Sequence, residues 1–436
     1  MKKIHFIGIG GIGLSALARF LNKQGYLVSG SDIKETLITN SLVKEGIEVH
    51  IPHDKNNIND QDFIIYSAVI KPDNIEMQEA RKKGRLILSR KDALLFILKE
   101  KRVFSVAGAH GKSTTSAMLA SIIDGSVIIG AESKQFGTNM LYRESQNVIF
   151  EADESDESFL NSNPYVAVVT NAEPEHMEYY EYDYTRFYGA YEKFLKSASI
   201  RVINAEDPYL ATLSSLEAIR LYPSKDITEA TTIIRHNEPF TSFNLKDLGT
   251  FEVWGLGEHI VLDAALAILA GLVEYDIETV REKLKNFRGI KKRFDILHVD
   301  KDFALIDDYA HHPTEIKATL TSAKAYAKAM GFETIKAIWQ PHKYSRTIDN
   351  LDAFKKCFAG VDELVILPVY SVGETPQKID FEKEFSHCHP YFTKRISCDS
   401  RGVSFKELQM GEIRYDKGLV IGFGAGDITY QLRGQY

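Results

Sequence analysis

Residues 103–115 read VFSVAGAHGKSTT: a short apolar run, a break at the glycine-containing segment 108–113, and then sequence compatible with a helix. A strand that ends in a glycine turn and opens a helix is typical of a phosphate-binding loop, because glycines let backbone N–H groups point inward. Lys112 would bring a positive charge to the β- and γ-phosphates, and the hydroxyl of Ser113 could reach Mg²⁺. The helix predicted from about Ser113 to Ile123 would direct its positive end at the same phosphates. This stretch predicts a nucleotide-binding α/β domain.

The glycine pattern of this loop is incomplete. Val106 stands where the full phosphate-loop pattern has its first glycine. A Gly-x-x-Gly-Lys-Ser run of this kind could therefore also be an ordinary surface loop. The choice between the two interpretations depends on whether metal ligands occur elsewhere in the chain.

Acidic residues and a histidine follow two further apolar runs. Residues 147–153 (NVIFEAD) and 165–171 (YVAVVTN) are typical of buried strands. Ligands gather at the carboxyl ends of parallel strands, so Glu151, Asp153 and the more distant His176 are expected where a metal-nucleotide would lie beside the phosphate loop. The alternatives are a helix cap for Glu151 and a solvated loop position for His176.

A second glycine motif opens the chain. The β-branched run Lys3–Ile9 breaks at GIGGIG, residues 8–13, and an amphipathic stretch follows. The next predicted strand, Tyr26–Ser31, ends in Asp32, nineteen residues after Gly13. This is the dinucleotide-binding fingerprint, in which glycines permit close approach to a pyrophosphate and the acid accepts from a ribose hydroxyl. The pattern does not specify which nucleotide binds.

Composition restricts the class of protein. The 436-residue chain is 44% hydrophobic and 26% charged, as in globular proteins, and its net charge is −7. Negative charge disfavours general nucleic-acid binding, so local basic groups must meet anionic substrates. Three cysteines without a CxxC pair indicate a reducing compartment and argue against structural zinc. No signal-peptide pattern or bilayer-spanning apolar run appears, so we expect a cytoplasmic protein without membrane insertion.

Alternating strand and helix patterns predict an α/β protein of several domains, each with a mostly parallel sheet flanked by helices. We predict a Rossmann-like domain over residues 1–100, a central nucleotide-binding domain over 101–288 and a third α/β domain over 289–436. In the third domain, strands at 303–308, 334–339 and 418–423 run into polar residues. Residues 224–250 receive no assignment.

The order of motifs across the chain resembles the Mur ligase family. The resemblance is carried by HFIGIGGIGLSALA (5–18), GAHGKSTT (108–115), EADESDESFL (151–160), VVTNAEPEHM (168–177), IKKRFD (290–295), DDYAHHPTEIKATL (307–320), QPHKYSRT (340–347) and GAGDI (424–428). It implies a first domain for a UDP-sugar, a central ATPase domain and a third domain that brings the amino acid. The implied reaction is ATP-dependent ligation of L-alanine to the carboxylate of UDP-N-acetylmuramate through an acyl phosphate, in cytoplasmic peptidoglycan precursor synthesis.

The resemblance also implies roles for individual residues. The implied catalytic residues are Lys112, Glu151, His176 and Arg293, and the implied Mg²⁺ ligands are Ser113, Glu151 and His176. ATP would contact Gly108, Ala109, His110, Gly111, Lys112, Ser113, Thr114, Asp263, Arg293 and Asp308. The UDP-sugar would contact Gly10, Gly11, Ile12, Gly13 and Asp32, and the alanine region would contain Tyr309, His311, His342, Lys343 and Arg346.

Three departures from the family pattern affect these assignments. Ala109 stands where threonine is usual, and Lys343 where arginine is usual. The family's His-Asn-x-x-Asn is replaced by residues 259–263, HIVLD, which puts the usual adenine contact in doubt. We expect Asp263 to take over part of an amide's role near the adenine. The carbamylated lysine of sister ligases has no clear counterpart.

Other functions remain open at this point. An NAD-dependent oxidoreductase would account for the first glycine motif and Asp32, but not for the phosphate loop, Glu151 and His176. A non-catalytic UDP-sugar-binding protein would account for the departures near Asp263. Within the ligases, the murein-tripeptide ligase of peptidoglycan recycling shares most of these motifs. The expected partners are small-molecule substrates without nucleic acid, and the protein would be a monomer or a homodimer.

Overall fold

The structure, a computed structural model, describes residues 2–407 and 411–435. The chain divides into two compact units. Unit 1 comprises Met1–Thr228, Asn244–Phe251 and Leu262–Phe287, and unit 2 comprises Glu229–Phe243, Glu252–Val261 and Arg288–Tyr436. The predicted α/β class with mostly parallel sheets is confirmed. The boundaries predicted after residues 100 and 288 stay a prediction.

The first sheet of unit 1 has five strands in the order β3-β2-β1-β4-β5, all parallel. This is the Rossmann strand order 3-2-1-4-5, without the sixth strand among the residues that the structure describes. Helix α1 packs on the sheet because Leu14, Leu17 and Leu21 recur on one buried face. The elements are β1 Lys3–Ile7, α1 Ile12–Lys23, β2 Leu27–Ser31, α2 Leu37–Lys44, β3 Glu48–His50, β4 Phe63–Tyr66, α3 Ile75–Lys82, β5 Leu86–Ser89 and α4 Arg90–Ile97.

The second sheet of unit 1 has seven strands in the order β12-β11-β10-β6-β9-β7-β8, with only β8 antiparallel to its neighbour. The central strands β6 and β10 are almost wholly buried, which explains their continuous apolar sequence. The elements are β6 Arg102–Ala107, α5 Lys112–Ile122, β7 Ser126–Ser133, β8 Thr138–Leu141, β9 Asn147–Glu151, β10 Pro164–Val169, α6 Tyr184–Ser197, β11 Ile200–Asn204 and β12 Ile219–Leu221.

The segment left unassigned from sequence contains a short helix and two strands of a three-stranded sheet, β13-β14-β15. Strand β14 alternates half-buried and buried residues. Its buried positions include Pro239 and Thr241, which weaken the apolar alternation in the sequence. The elements here are α7 Pro223–Asp226, β13 Ile227–Arg235, β14 Glu238–Leu245, β15 Thr250–Trp254, α8 Glu258–Gly271 and α9 Ile277–Leu284.

Unit 2 contains a six-stranded sheet in the order β16-β17-β24-β18-β19-β20, parallel except for β16, and a three-stranded antiparallel sheet, β21-β22-β23. Strands β17 and β24 are fully buried, and both match their predicted bounds. The elements are β16 Asp295–Val299, β17 Phe303–Asp308, α10 Pro313–Met330, β18 Ile335–Trp339, α11 Tyr344–Asp349, α12 Leu351–Cys357, β19 Glu363–Ile366, α13 Phe381–Glu384, β20 Tyr391–Phe392, β21 Ile396–Asp399, β22 Gly402–Glu407, β23 Gly411–Tyr415, β24 Gly418–Phe423 and α14 Ile428–Leu432.

One hydrophobic cluster in unit 1 joins side chains of the first and second sheets, from Ile4 to Leu210. The carboxyl ends of the parallel strands, and the loops that follow them, therefore lie at the edges of two sheets that share one hydrophobic core. Among residues 2–407 and 411–435, no helix has the length and apolarity needed to cross a bilayer.

Candidate active site

The phosphate loop leaves β6 at Gly108 and enters α5 at Lys112 in unit 1. Gly108 has φ +141°, and a Cβ there would lie 2.1 Å from Oγ1 of Thr170. Gly111 has φ +81° and would bring a Cβ within 2.4 Å of Oδ1 of Asp263. Both the backbone conformation and the neighbouring side chains therefore exclude a larger residue at these two positions. No side chain caps α5, so its N-terminal N–H groups can bind an anion.

The end of the neighbouring strand β10 braces the loop. Oγ1 of Thr170 donates to the carbonyl of His110 (2.6 Å), and the His110 N–H donates to Oδ1 of Asn171 (3.1 Å). The His110 ring itself lies at the surface, with Nε2 3.4 Å from carboxylate oxygens of Glu173 and Glu175. The backbone of the loop is thus held in place independently of any ligand.

Lys112 is buried among carboxylates. Its Nζ donates to Oε1 of Glu154 (2.8 Å), and Glu154 is only 1% exposed. Nζ also donates to the carbonyl of Gly108 (2.6 Å), which folds the side chain back over the loop. Burial alone would lower the pKa of Lys112, but Glu154, with Glu151 and Asp153 nearby, holds that pKa above its ordinary value. Lys112 is therefore a permanent cation beside the loop.

The three predicted metal ligands fall into two groups. Oγ of Ser113 donates to Oε1 of Glu151 (3.0 Å), whose other oxygen accepts from the N–H of Gly130 (2.7 Å). His176 instead lies with Glu154 and Glu175, and one ligand atom from each of the three lies within 4.8 Å of the others. Lys112 links the two groups because it contacts Glu154 and lies close to Glu151.

These residues fit a divalent metal by their donor chemistry. A hydroxyl, carboxylates and one imidazole provide an oxygen-rich ligand set of the kind that Mg²⁺ accepts. His176 has φ +53°, a left-handed conformation that is uncommon for histidine and is frequently found at functional sites.

The first glycine motif forms a second candidate site in unit 1. Oδ2 of Asp32 accepts from the N–H of Gly10 (2.8 Å), and a Cβ on Gly10 would lie 2.8 Å from the same oxygen. Gly11 caps α1 without a side-chain hydrogen bond, while Ile12 is 46% exposed and Gly13 lies in the first helical turn. The loop and the acid are thus adjacent, as predicted, and the carboxylate keeps lone pairs for a ribose hydroxyl.

Asp263 lies against the phosphate loop, since its carboxylate occupies the space that a Cβ of Gly111 would need. The residue is 4% exposed. This places it near the phosphate end of the predicted nucleotide site. Its contact with adenine stays a prediction.

In unit 2, Asp308 ends β17 with its carboxylate buried. Oδ2 accepts from the N–H of Phe294 (2.7 Å) and Oδ1 from the N–H of Ala310 (2.8 Å). Burial nevertheless raises the pKa of Asp308 to about 7, against the opposing effects of these hydrogen bonds and of the nearby positive charge of Arg293. The structure therefore brings Arg293 and Asp308 together.

The residues predicted to bind the substrate alanine lie together at the ends of β17 and β18. The rings of Tyr309, His311 and His342 form a row with Tyr370, a residue that was not predicted. The Tyr309 and His311 centroids are 5.3 Å apart, those of His311 and His342 5.7 Å, and those of His342 and Tyr370 5.7 Å. Nη1 of Arg346 donates to Nδ1 of His342 (3.0 Å).

The electrostatics of this row keep its imidazoles neutral. Burial, then His311 and the cations Arg346 and Lys343, lower the pKa of His342 to about 4. Burial also lowers the pKa of His311. Lys343 has φ +68° and precedes α11, so this loop is held in an uncommon conformation.

Sequence reasoning missed two residues of the unit 1 site. Glu154 is the partner of Lys112, and its position in the acidic run EADESD was the available signal. Arg90 reaches that same run from α4, and Nη2 donates to Oδ2 of Asp153 (3.2 Å). A lone arginine after a predicted strand gave no sequence signal for this contact.

Comparison with known families confirms the resemblance along the chain. A model described as "Mur ligase family, catalytic domain" matches residues 3–102. "Mur ligase middle domain" matches residues 106–271, and "Mur ligase, glutamate ligase domain" matches residues 292–401. The three matches together account for most of the chain and follow the order of its motifs.

Individual relatives extend over the whole chain. The UDP-N-acetylmuramate--L-alanine ligase of Campylobacter curvus is 61% identical over 436 residues, with 100% of both chains covered. The ligase of the same description from Helicobacter pylori (strain P12) is 54% identical and covers 99% of this chain and 96% of its own. The crystal structure of the UDP-N-acetylmuramate-alanine ligase of Thermotoga maritima matches with a TM-score of 0.82 and 31% identity, covering 100% of this chain and 98% of that one.

A more distant structure, the murein peptide ligase of Psychrobacter arcticus, has a TM-score of 0.63 at 18% identity and shows the fold alone. The family matches, the full-length relatives and the two nucleotide-type loops agree with one another. The chain belongs to the Mur ligase family.

Proposed function

We propose that this protein ligates L-alanine to the carboxylate of UDP-N-acetylmuramate with ATP, in cytoplasmic peptidoglycan precursor synthesis. The observation that carries the proposal is the 61% identity to the Campylobacter curvus ligase over the full length of both chains. A fold that is shared at 18% identity does not distinguish substrates, whereas this match covers 100% of both chains at 61% identity.

The chemistry explains why such a site needs buried cations. A carboxylate is a poor electrophile, so it must be activated as an acyl phosphate before an amine can attack it. We propose that Lys112 moves from Glu154 to the phosphates and offsets negative charge there, while the free N–H groups of α5 bind the same oxygens. Mg²⁺ ions, held by Ser113 and Glu151 in one group and by His176 in the other, would supply further charge neutralisation when bound.

The third-domain residues would handle the amino acid. Arg346 can hold the alanine carboxylate with one edge of its guanidinium while Nη1 contacts His342. Because His311 and His342 are kept neutral, they add no positive charge against the alanine amine, which must lose a proton before it attacks. Arg293 beside Asp308 would contact ATP, as the resemblance implies.

A product assay tests the proposal. The protein would be incubated with UDP-N-acetylmuramate, ATP, Mg²⁺ and L-alanine, and the nucleotide product identified by mass spectrometry alongside ADP and phosphate. The matched control is the Lys112→Ala protein in the same mixture. A parent protein that gives no alanine adduct would contradict the proposal.

The recycling ligase is the alternative within the family. Replacing L-alanine by the murein tripeptide in the same assay separates the two, and we expect the alanine product only. The sequence comparison favours this outcome, because the full-length relatives at 54–61% identity are described as alanine ligases. The murein peptide ligase structure shares only 18% identity.

A further inference from the structure

Arg90 lies between the first glycine motif and the loop after β9 in unit 1. It is the first residue of α4, directly after β5 of the first sheet, and its side chain reaches the loop after β9 of the second sheet. Nη2 lies 3.2 Å from Oδ2 of Asp153, 3.2 Å from Oδ2 of Asp156 and 3.0 Å from Oγ of Ser158. One guanidinium nitrogen therefore contacts three side chains of the acidic segment, residues 153–158.

The other end of the same guanidinium faces the first glycine motif. A Cβ on Gly13 would lie 3.1 Å from Nη1 of Arg90. Nη1 donates no hydrogen bond to any residue within 2–407 or 411–435, whereas Nη2 is fully engaged. Gly13 lies in the first turn of α1, where the helix dipole and free N–H groups favour an anion. A pyrophosphate bound there would come within reach of Nη1.

The acidic segment connects Arg90 to the ATP side. Asp153 and Glu154 are consecutive, and Glu154 holds Lys112. Oδ2 of Asp153 accepts from Nη2 of Arg90 and Oδ1 accepts from the N–H of Ser155 (3.0 Å), so both oxygens of this carboxylate are held. The segment also contains Glu157 at φ +57°, a left-handed conformation that persists only where surrounding contacts enforce it.

We propose that Arg90 is a positioning residue that couples the UDP-sugar site to the ATP site. The pyrophosphate of the UDP-sugar would fix Nη1, the fixed guanidinium would order Asp153 and Asp156 through Nη2, and the ordered segment would set Glu154 and Lys112 for the nucleotide. A ligand that orders this segment lowers the ordering cost for the second ligand, so the coupling is positive. The inference rests on the proposed function, because it takes a UDP-sugar as the anion at α1.

The chain offers a matched control. Lys91, the next residue of α4, contacts the same segment through the carbonyl of Asp156 (3.4 Å) and Oε2 of Glu157 (3.5 Å). It contacts neither Asp153 nor Gly13. If these cations only stabilise the acidic segment, loss of either one should weaken the coupling. If Arg90 itself couples the two sites, only its loss should do so.

The experiment is calorimetric titration of Mg²⁺–ADP into the full-length protein, with and without saturating UDP-N-acetylmuramate. In the parent and in Lys91→Gln we expect the UDP-sugar to lower the Kd of Mg²⁺–ADP by a factor of about 5 or more. Arg90→Gln should reduce this factor to about 1, and Arg90→Lys should restore part of it. Asp156→Asn, which leaves Arg90 in place, should also reduce the factor.

Two outcomes would overturn the inference while leaving the proposed function intact. One is a parent protein that binds both ligands with no change in Kd, and the other is an equal loss of coupling in Lys91→Gln and Arg90→Gln. A parent protein that binds no UDP-N-acetylmuramate would instead overturn the proposed function, and the inference with it.

Discussion

Nζ of Lys112 lies 2.8 Å from Oε1 of Glu154, although the two residues are 42 positions apart in the chain. Glu154 is 1% exposed and the hydroxyl of Tyr180 donates to its carbonyl (2.5 Å), so the acid is held rigidly in the protein interior. The cation of the predicted phosphate site is thus paired with a buried carboxylate, and an anionic ligand would have to compete with that carboxylate for it.

Replacing Lys112 by alanine should reduce turnover by much more than tenfold, since loss of a phosphate-binding charge costs several kcal/mol in the transition state. It also leaves the buried Glu154 charge unpaired, which costs about 3–5 kcal/mol of stability. The double variant Lys112→Ala/Glu154→Gln should recover the thermal unfolding midpoint but not the activity. Steady-state rates and unfolding curves measure both. Turnover above about a tenth of the parent rate in the double variant would contradict the phosphate-site assignment.

Glu151→Ala and His176→Ala should each raise the Mg²⁺ concentration needed for half-maximal activity, because each removes one ligand from an oxygen-rich site. An activity titration against Mg²⁺ measures the midpoint. Glu173→Gln is the control, since this exposed acid contacts His110 but lies outside the group formed by Glu154, Glu175 and His176. Unchanged midpoints in both site variants would show that Glu151 and His176 do not bind Mg²⁺.

Asp308 should make the stability of unit 2 fall as pH rises. Burial raises the pKa of Asp308 in the folded protein from 3.8 to about 7. Its contribution to the free energy of unfolding is therefore fully present below pH 3.8 and is lost as pH increases through 7. Asp308→Asn removes this titration. The unfolding midpoint of the variant minus that of the parent should therefore become more positive between pH 4 and pH 8. A difference that does not change with pH would show that Asp308 titrates normally.

Glu76 should have the opposite effect in the first sheet. It is fully buried, and although burial alone would raise its pKa, the neighbouring imidazoles of His5 and His53 and the hydrogen bonds from Ser31 and Asn57 lower it below 4.5. The contribution of Glu76 to the free energy of unfolding is present above pH 4.5 and is lost as pH falls below that value.

Glu76→Gln should accordingly destabilise the protein at pH 7 by about 1–3 kcal/mol, and the deficit should shrink as pH falls below 4.5. Unfolding midpoints measured across this range test the prediction. The exposed Asp73, which lies in the turn before α3, provides the control variant Asp73→Asn, for which we expect no deficit. A deficit of equal size at pH 7 and pH 3.5 would contradict the assigned ionisation.

Arg346→Ala should raise the KM for L-alanine by a factor on the order of 10 to 100, with the KM for ATP little changed. The reason is loss of a planar donor for the amino-acid carboxylate beside His342. Lys343→Arg is the matched variant and should leave the KM for alanine unchanged or lower it. Steady-state kinetics with alanine varied separates these outcomes. A parent-like KM in Arg346→Ala would mean that the carboxylate is held elsewhere.

The sequence by itself determined those features that depend on neighbouring residues in the chain, such as buried strands and glycine turns. A buried parallel strand needs a continuous apolar run, so β17 and β24 could be located from sequence at their observed bounds. A glycine at positive φ, such as Gly111, is required by the backbone of its own loop. The order of such loops along the chain was enough to indicate the family and its three α/β domains.

Tertiary structure alone decided which side chains meet and how they are charged. Strands β13 and β14 were not predicted, because their pattern is weak and their stability comes from pairing with each other and β15. The contact of Arg90 with Asp153 joins residues 63 positions apart, and the raised pKa of Asp308 depends on burial that no local pattern records. The sequence by itself therefore determined the loops and their order, whereas desolvation and long-range contacts, which exist only after folding, decided how those loops act on one another.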